Sequence, residues 1–357
     1  MSLQNNTILH EICINKQKIG AHCTPYIIAE MSANHNGQLE TALKIIEEAK
    51  NAGADAVKMQ TYRPDTITLD SDADEFKIQS GLWEGRTLYE LYEEAHTPWE
   101  WHQPLFEHAR KLGITLFSSP FDTTAVDLLE ELNSPAYKIA SCEVVDLPFI
   151  EYVARTGKPM IISTGMADAE EIQEAIDAAR GAGCQELAIL HCVSGYPAPA
   201  EDYNLRTLAD MIQRFGLVTG LSDHTLDNTT AITSVALGAS IIEKHFTLDR
   251  HGGGPDDSFS LEPQDLANLC RQTKTAWRAL GRVDYGCKSS EQDSMKFRRS
   301  LYFVKEMQAG EVITADCIRS VRPGYGLPPK LYNVLLGKRL IRDVTKGIAV
   351  SWDLIEC

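Results

Sequence analysis

Two histidines close successive apolar runs of this chain. Val218-Thr219-Gly220-Leu221 leads into Ser222-Asp223-His224, and Ile241-Ile242 leads into Glu243-Lys244-His245. If these runs are adjacent parallel strands of a barrel, both imidazoles emerge side by side at one rim, where barrels keep their chemistry. Two neutral imidazoles are good ligands for a divalent metal. Singly, His224 reads as a turn-capping residue and His245 as a buried, hydrogen-bonded one. Their pairing on neighbouring strands favours the metal.

Other apolar runs also end in polar residues: Glu30, Lys58 with Gln60, Ser119, Lys138 with Ser141, and Ser163. Residues two apart on a strand share a face, which pairs Lys58 with Gln60 and Glu243 with His245. Two lysines in a central pocket are costly to bury without an anion beside them. With serine hydroxyls they form a cradle for phosphate or carboxylate. Lysines opposite histidines predict a phosphorylated or carboxylated small molecule meeting a metal-polarised carbonyl. Glu30 reads equally well as an internal salt-bridge partner, and Tyr196 as a packing residue. His35, in Asn34-His35-Asn36-Gly37, has a loop-shaping reading beside a binding one. Gly252-Gly253-Gly254-Pro255 enters no clear helix, so it reads as a turn that places Asp256 and not as a phosphate loop.

The elements that must position these groups repeat along residues 26–281. Eight short apolar or β-branched runs begin at Tyr26, Ala56, Thr115, Ala136, Met160, Leu187, Val218 and Ile241. Helical spacing fills the gaps, as in Leu39-Ala42-Leu43-Ile46 and Ile172-Ala175-Ile176-Ala179. Glycines at 53, 113, 157, 183, 216 and 238 end many of these stretches just before the next strand. Eight such units predict an α/β fold, a (β/α)8 TIM barrel over residues 1–281 with a short N-terminal extension, 1–25. The second βα connection, Thr61 to about Pro98, is long enough to suggest function. Residues 282–296 read as a polar linker and 297–357 as a small separate domain. Within it Val304–Gly310 followed by Ile313–Ile318 echoes Ile341–Gly347 followed by Val350–Ile355, which predicts a pseudo-symmetric, mostly β module.

A net charge of −16 over 357 residues argues against nucleic acid or an anionic membrane as partner. No apolar stretch approaches the ~20 residues of a membrane span. The N-terminus lacks the basic and apolar regions of a secretory signal. Nine scattered cysteines without a CxxC spacing suggest a reduced, cytoplasmic chain.

The ordered motifs extend this reading. Ile28-Ala29-Glu30 with Asn34-His35-Asn36-Gly37, Lys58-Met59-Gln60-Thr61, Tyr137-Lys138-Ile139-Ala140-Ser141 and Ser163-Thr164-Gly165-Met166 come first. Leu221-Ser222-Asp223-His224-Thr225, Glu243-Lys244-His245-Phe246, Gly254-Pro255-Asp256, Arg298-Arg299-Ser300-Leu301 and Arg322-Pro323-Gly324 follow. In this order they resemble the N-acetylneuraminate synthase family of sialic acid synthases along nearly the whole chain. The tail resembles that family's antifreeze-like (SAF) domain.

The resemblance implies a transferase that condenses phosphoenolpyruvate with the open-chain aldehyde of an N-acetylated amino sugar. Lys58, Ser119, Lys138, Ser141, Ser163 and Ser194 would hold phosphoenolpyruvate. His224 and His245 would bind Mn²⁺ or Mg²⁺ beside a catalytic Glu30. Gln60, Glu143, Tyr196, Asp256 and Arg322 would face the sugar, Arg322 from a partner chain in a homodimer with exchanged SAF domains. Leu88-Tyr89-Glu90-Leu91-Tyr92, Thr97-Pro98-Trp99-Glu100-Trp101 and Asp257-Ser258-Phe259-Ser260 resemble the branch whose acceptor is a 2,4-diacetamido-2,4,6-trideoxy-altrose. Ser194 stands where neuraminate-forming members usually carry Asn, which fits a different sugar. The rivals are a neuraminate or legionaminate synthase, a metal-dependent aldolase acting on free pyruvate, and a non-catalytic sugar-binding protein.

Overall fold

The computed structural model describes residues 11–356. Residues 1–10, with the start of the expected N-terminal extension and the expected absence of a leader, lie outside them. Two compact units divide the chain, Met1–Gly281 and Arg282–Cys357.

In the first unit eight parallel strands close into a barrel. They are β1 (Tyr26–Glu30), β2 (Ala56–Thr61), β3 (Thr115–Pro120), β4 (Tyr137–Ile139), β5 (Met160–Ser163), β6 (Leu187–Cys192), β7 (Val218–Asp223) and β8 (Ile241–His245). Each pairs with the next, and β8 returns to β1. Strand alternation sorts every run into two sets. Ile27, Ala29, Val57, Met59, Ile139, Ile162, Ile189 and Ile242 face the surrounding helices and form the main core with Ile45, Phe106, Ile150 and Leu269. Tyr26, Ile28, Ala56, Phe117, Ala136, Ile161, Leu190, Val218 and Ile241 fill the barrel interior.

Below this interior layer sits a hairpin, Ile12–Ile14 paired antiparallel with Gln17–Ile19, which was not expected from the sequence. Its Ile12, Ile14 and Ile19 join the interior cluster and plug the N-terminal end of the barrel. The helix-ending glycines behave as expected. Gly53, Gly113 and Gly216 are left-handed C-caps, a conformation that costs glycine nothing sterically.

The long second connection is ordered. It carries a helix, Leu88–Ala95, started by a capping box in which the Thr87 hydroxyl accepts from the Glu90 N–H. No helix of the described residues is long and apolar enough to cross a membrane. The eight described cysteines are all free thiols.

In the second unit, Ser300–Phe303 pairs antiparallel with Ile318–Val321. The internal echo is real in three dimensions. Met307 and Val344, equivalent in the two half-units, exchange backbone hydrogen bonds at 2.9 and 2.8 Å. Gly310 donates to Leu340 as Gly347 donates to Phe303, and both glycines have positive φ. The equivalent pairs Ile313/Val350 and Ile318/Ile355 are all buried in one core. Residues 282–296, expected as a plain linker, group with this unit, and Ser289–Phe297 forms a 3-10 run.

Candidate active site

Continuing the interior-facing alternation by one or two steps beyond the apolar layer gives the site. Ile28 leads to Glu30, Ala56 to Lys58 and Gln60, Phe117 to Ser119, and Ala136 to Lys138. Ile161 leads to Ser163, Leu190 to Cys192, Val218 through Gly220 to Ser222 and His224, and Ile241 to Glu243 and His245. Gly220 is required there: a Cβ would lie 2.4 Å from the Ile241 carbonyl oxygen. Ser141 departs from the expected strand ending. β4 stops at Ile139, and Ser141 and Glu143 sit on a 3-10 turn, Ser141–Glu143.

The deepest polar layer is a closed charge network. Lys58 Nζ lies 2.8 Å from Glu30 Oε2 and 3.6 Å from Glu243 Oε1, and Lys138 Nζ lies 3.3 Å from Glu243 Oε1. Lys58 also donates to the Ser119 hydroxyl at 3.3 Å, and Ser222 donates to Glu243 at 3.4 Å. All four charged groups are buried. The expectation that these lysines lack partners without a bound anion is therefore corrected: Glu30 and Glu243 already balance them. Burial works against an ionised Glu243, but Lys138 and Lys58 hold its carboxyl below the usual range. Burial also opposes the Lys58 charge, and Glu243 and Glu30 carry it above its usual value. Lys138 has fewer carboxylate neighbours, and burial lowers it. Glu30 is pushed up by burial.

Beside this network the serines gather. Ser163 Oγ and Ser194 Oγ are buried without a hydrogen-bond partner. Ser141 Oγ has a thiol, Cys192 Sγ, at 3.4 Å. Gly165, at φ +47°, lies between two of them: a Cβ there would be 2.7 Å from Ser141 Oγ and 3.0 Å from Ser194 Oγ. Unsatisfied buried hydroxyls are costly unless something accepts from them. Hydroxyl donors beside a lysine suit an anion with several acceptor oxygens.

The two imidazoles form the next layer. Their ring centroids are 5.4 Å apart. His224 Nδ1 lies 2.8 Å from the Val193 carbonyl oxygen, which places the proton on Nδ1 and the lone pair on Nε2. His224 does not cap its turn; Asp223 does so by accepting from the Thr225 N–H. His245 Nδ1 is buried without a partner, unlike a structural hydrogen-bonded histidine. Burial lowers His224 to about 4, and burial with the His224 ring lowers His245 further, so both are neutral. Among the described residues no third His, Cys, Asp or Glu completes a metal cluster. A cation fits here as a two-imidazole guest whose other ligands are water or substrate.

Around the imidazoles stands an aromatic wall. Tyr196 packs 4.3 Å from His224 and 5.3 Å from Phe259, centroid to centroid. Trp83, from the long second connection, stands 6.0 Å from Tyr196 and donates through Nε1 to the Pro255 carbonyl at 3.0 Å. Asp256 is buried near Tyr196 and Tyr62, and Gln60 Nε2 donates to Glu30 Oε1 at 2.9 Å. Glu143 has a buried oxygen without a donor, and burial raises its carboxyl to about 7.

Some expected residues sit elsewhere. Arg322 belongs to the second unit, where a cis peptide joins it to Pro323. His35 is structural: fully buried, edge-on to Trp101 at 5.4 Å, and lowered to about 4 by burial. The triple-glycine segment is a turn, closed by the Gly254 N–H donating to Asp257 Oδ2. Glu243, Ser222, Trp83 and Phe259 had no assigned role in the sequence. Strand alternation places Glu243 and Ser222 inward; nothing local marks Trp83 or Phe259.

Residues 45–285 match the NeuB family, and residues 298–356 match the SAF domain. The chain belongs to the NeuB family. A pseudaminic acid synthase of Helicobacter pylori is 44% identical over 333 residues, 93% of this chain and 98% of that one. An N,N'-diacetyllegionaminic acid synthase of Campylobacter jejuni is 37% identical, covering 87% of this chain and 94% of that one. The solved N-acetylneuraminic acid synthetase of Leptospira borgpetersenii superposes with a TM-score of 0.72 at 32% identity, over 81% of this chain and 96% of that one. The NeuB barrel seen here thus carries the fold expected from its motifs.

Proposed function

We propose that this NeuB-family protein is a pseudaminic acid synthase. It condenses phosphoenolpyruvate with 2,4-diacetamido-2,4,6-trideoxy-L-altrose and water, giving pseudaminic acid and phosphate. The observation that carries the reading is the pair of buried hydroxyls without acceptors, Ser163 and Ser194, gathered with the thiol-bonded Ser141 beside a balanced Lys–Glu network. The 44% identity to a pseudaminic acid synthase supports the choice of acceptor.

In this reading the serines and Lys138 seat the phosphate. Lys138 spends one of its three donors on Glu243, which leaves two for an arriving anion. A Mn²⁺ or Mg²⁺ ion held by His224 and His245 would polarise the sugar aldehyde. Tyr196, Gln60 and Asp256 orient the sugar so that its carbonyl carbon faces C3 of the enol. C3 bonds to the aldehyde carbon as the carbonyl π bond breaks onto its oxygen, C2 becomes cationic, and water adds there. Glu30 takes one proton of that water and passes it to the new alkoxide. The C2–O bond to phosphate then breaks as C2 becomes a ketone, and phosphate leaves with its bridging oxygen and the remaining hydroxyl proton. Glu30 suits the role because burial raises its carboxyl while Lys58 fixes one oxygen.

Two chains would pair with exchanged SAF units, each lending Arg322 to the other's barrel. Leu69, Leu82, Val145, Met166 and Leu226, all exposed on loops that follow strand ends, support a covered rim. The free thiols and the need for phosphoenolpyruvate fit a cytoplasmic enzyme.

The test is phosphate release from phosphoenolpyruvate and Mn²⁺ with each candidate sugar. Turnover with the diacetamido-altrose is expected. Preference for N-acetylmannosamine or a legionaminate precursor would transfer the protein to those synthases, and turnover of free pyruvate would make it an aldolase. His245→Ala should fold normally and lose its response to added Mn²⁺, read by calorimetric binding of the ion. Unchanged Mn²⁺ binding refutes the imidazole site.

A further inference from the structure

Ser32 breaks a local rule. It follows β1, is buried, and has φ +44°, a conformation that non-glycine residues rarely adopt. It is the first central residue of a tight turn closed by the Asn34 N–H donating to the Met31 carbonyl at 3.0 Å. Ala33, the second central residue, does not share the positive φ. That pattern normally places glycine where Ser32 stands. A glycine would hold the turn without strain, so the turn alone does not explain a serine.

The hydroxyl does. Ser32 Oγ donates to Asp256 Oδ2 at 2.5 Å and accepts from Gln60 Nε2 at 3.0 Å. The same Gln60 nitrogen donates to Glu30 Oε1 at 2.9 Å. Both amide hydrogens of Gln60 are therefore committed, one to each partner. Its carbonyl oxygen meets no donor among the described residues and is left to accept from the pocket. One hydroxyl thus joins groups from three segments, the ends of β1 and β2 and the loop after β8, and fixes the orientation of an amide that would otherwise be free to flip.

We propose that Ser32 is a positioning residue for the acceptor sugar, holding Asp256 and Gln60 in the orientation that receives the sugar's hydroxyl and amide groups. This rests on the synthase reading above. Ser32 touches Asp256 and Gln60 directly but meets Lys58 only through Gln60 and Glu30, so its main effect should fall on the sugar.

The test compares Ser32→Gly and Ser32→Ala with the wild-type enzyme in the phosphate-release assay, varying each substrate in turn. Ser32→Gly relieves the backbone strain but leaves Asp256 and Gln60 each short of a partner, so its melting temperature should fall by a few degrees at most. Its KM for the sugar should rise about tenfold or more, while KM for phosphoenolpyruvate stays within twofold. Ser32→Ala should show the same split with a lower melting temperature. A sugar KM unchanged in Ser32→Gly overturns the proposal, as does a parallel rise in both KM values. If the wild-type enzyme releases no phosphate with any nonulosonate precursor, the synthase reading itself fails, a result distinct from either.

Discussion

Replacing Glu243 by Gln tests the charge network most directly. The amide keeps the shape of the side chain but removes the charge that faces Lys138 at 3.3 Å and Lys58 at 3.6 Å. Lys58 retains Glu30 at 2.8 Å. Lys138 is left buried without a carboxylate in contact, and breaking a buried pair in this way costs about 3–5 kcal/mol. A second route limits that cost, because Lys138 can fold as a neutral amine. Deprotonating a lysine of ordinary value ~10.4 at pH 7.5 costs about 4 kcal/mol at ~1.4 kcal/mol per pH unit. A loss of about 3–4 kcal/mol at pH 7.5 follows. At roughly 2.1 cal/mol/K of unfolding entropy per residue, the barrel unit should melt about 5–7 °C lower.

The sign of the pH dependence is specific. Burial already lowers Lys138 in the wild type, and without Glu243 its folded-state value falls further below the unfolded one, so the added penalty is full at neutral pH and fades as pH rises towards the wild-type folded value. By pH 9.5 the deficit should shrink to about 1 kcal/mol. Differential scanning calorimetry of both proteins between pH 7 and 9.5 measures this. A deficit independent of pH, or a variant as stable as wild type at pH 7.5, would refute the argument that Glu243 is the counter-charge of Lys138.

Gly165→Ala should weaken phosphoenolpyruvate binding at least tenfold by isothermal titration, because its methyl would displace Ser141 and Ser194. It should also cost about 2–4 kcal/mol, from a left-handed alanine and overpacking. Gly183→Ala, at φ +109° with open space around it, is the control and should leave that affinity unchanged. Glu143→Gln should gain stability over wild type as pH rises from ~4.5 to ~7, levelling near 2–3 kcal/mol. The wild-type carboxyl, held at about 7 by burial, loses stability as it ionises over that window. Chemical denaturation at pH 5 and pH 8 reads the difference, and equal differences at both would contradict a raised Glu143.

The barrel and its inward-facing groups were legible because alternation is a rule of two: once Ile28 or Ile161 faces inward, so do Glu30 and Ser163. Helix spacing and the terminal glycines gave the outer ring for a similar local reason. Partnership was not legible. Glu243 meets Lys138 across 105 positions, and no local pattern shows that distance. The sequence therefore suggested lysines in need of an anion where the fold supplies carboxylates. Trp83 lies in a connection with no periodicity, and Ser32 in a turn whose backbone angle its residue type conceals. The plugging hairpin was hidden because Ile12, Ile14 and Ile19 form runs too short to read.

That hairpin has a kinetic consequence. With Ile12, Ile14 and Ile19 stoppering one end, every molecule that enters or leaves the barrel interior must use the other. The residues proposed for phosphoenolpyruvate, the imidazoles and Tyr196 all line that open end, Ser194 at the register position of His224. Both substrates and both products of the proposed reaction must therefore share that single mouth.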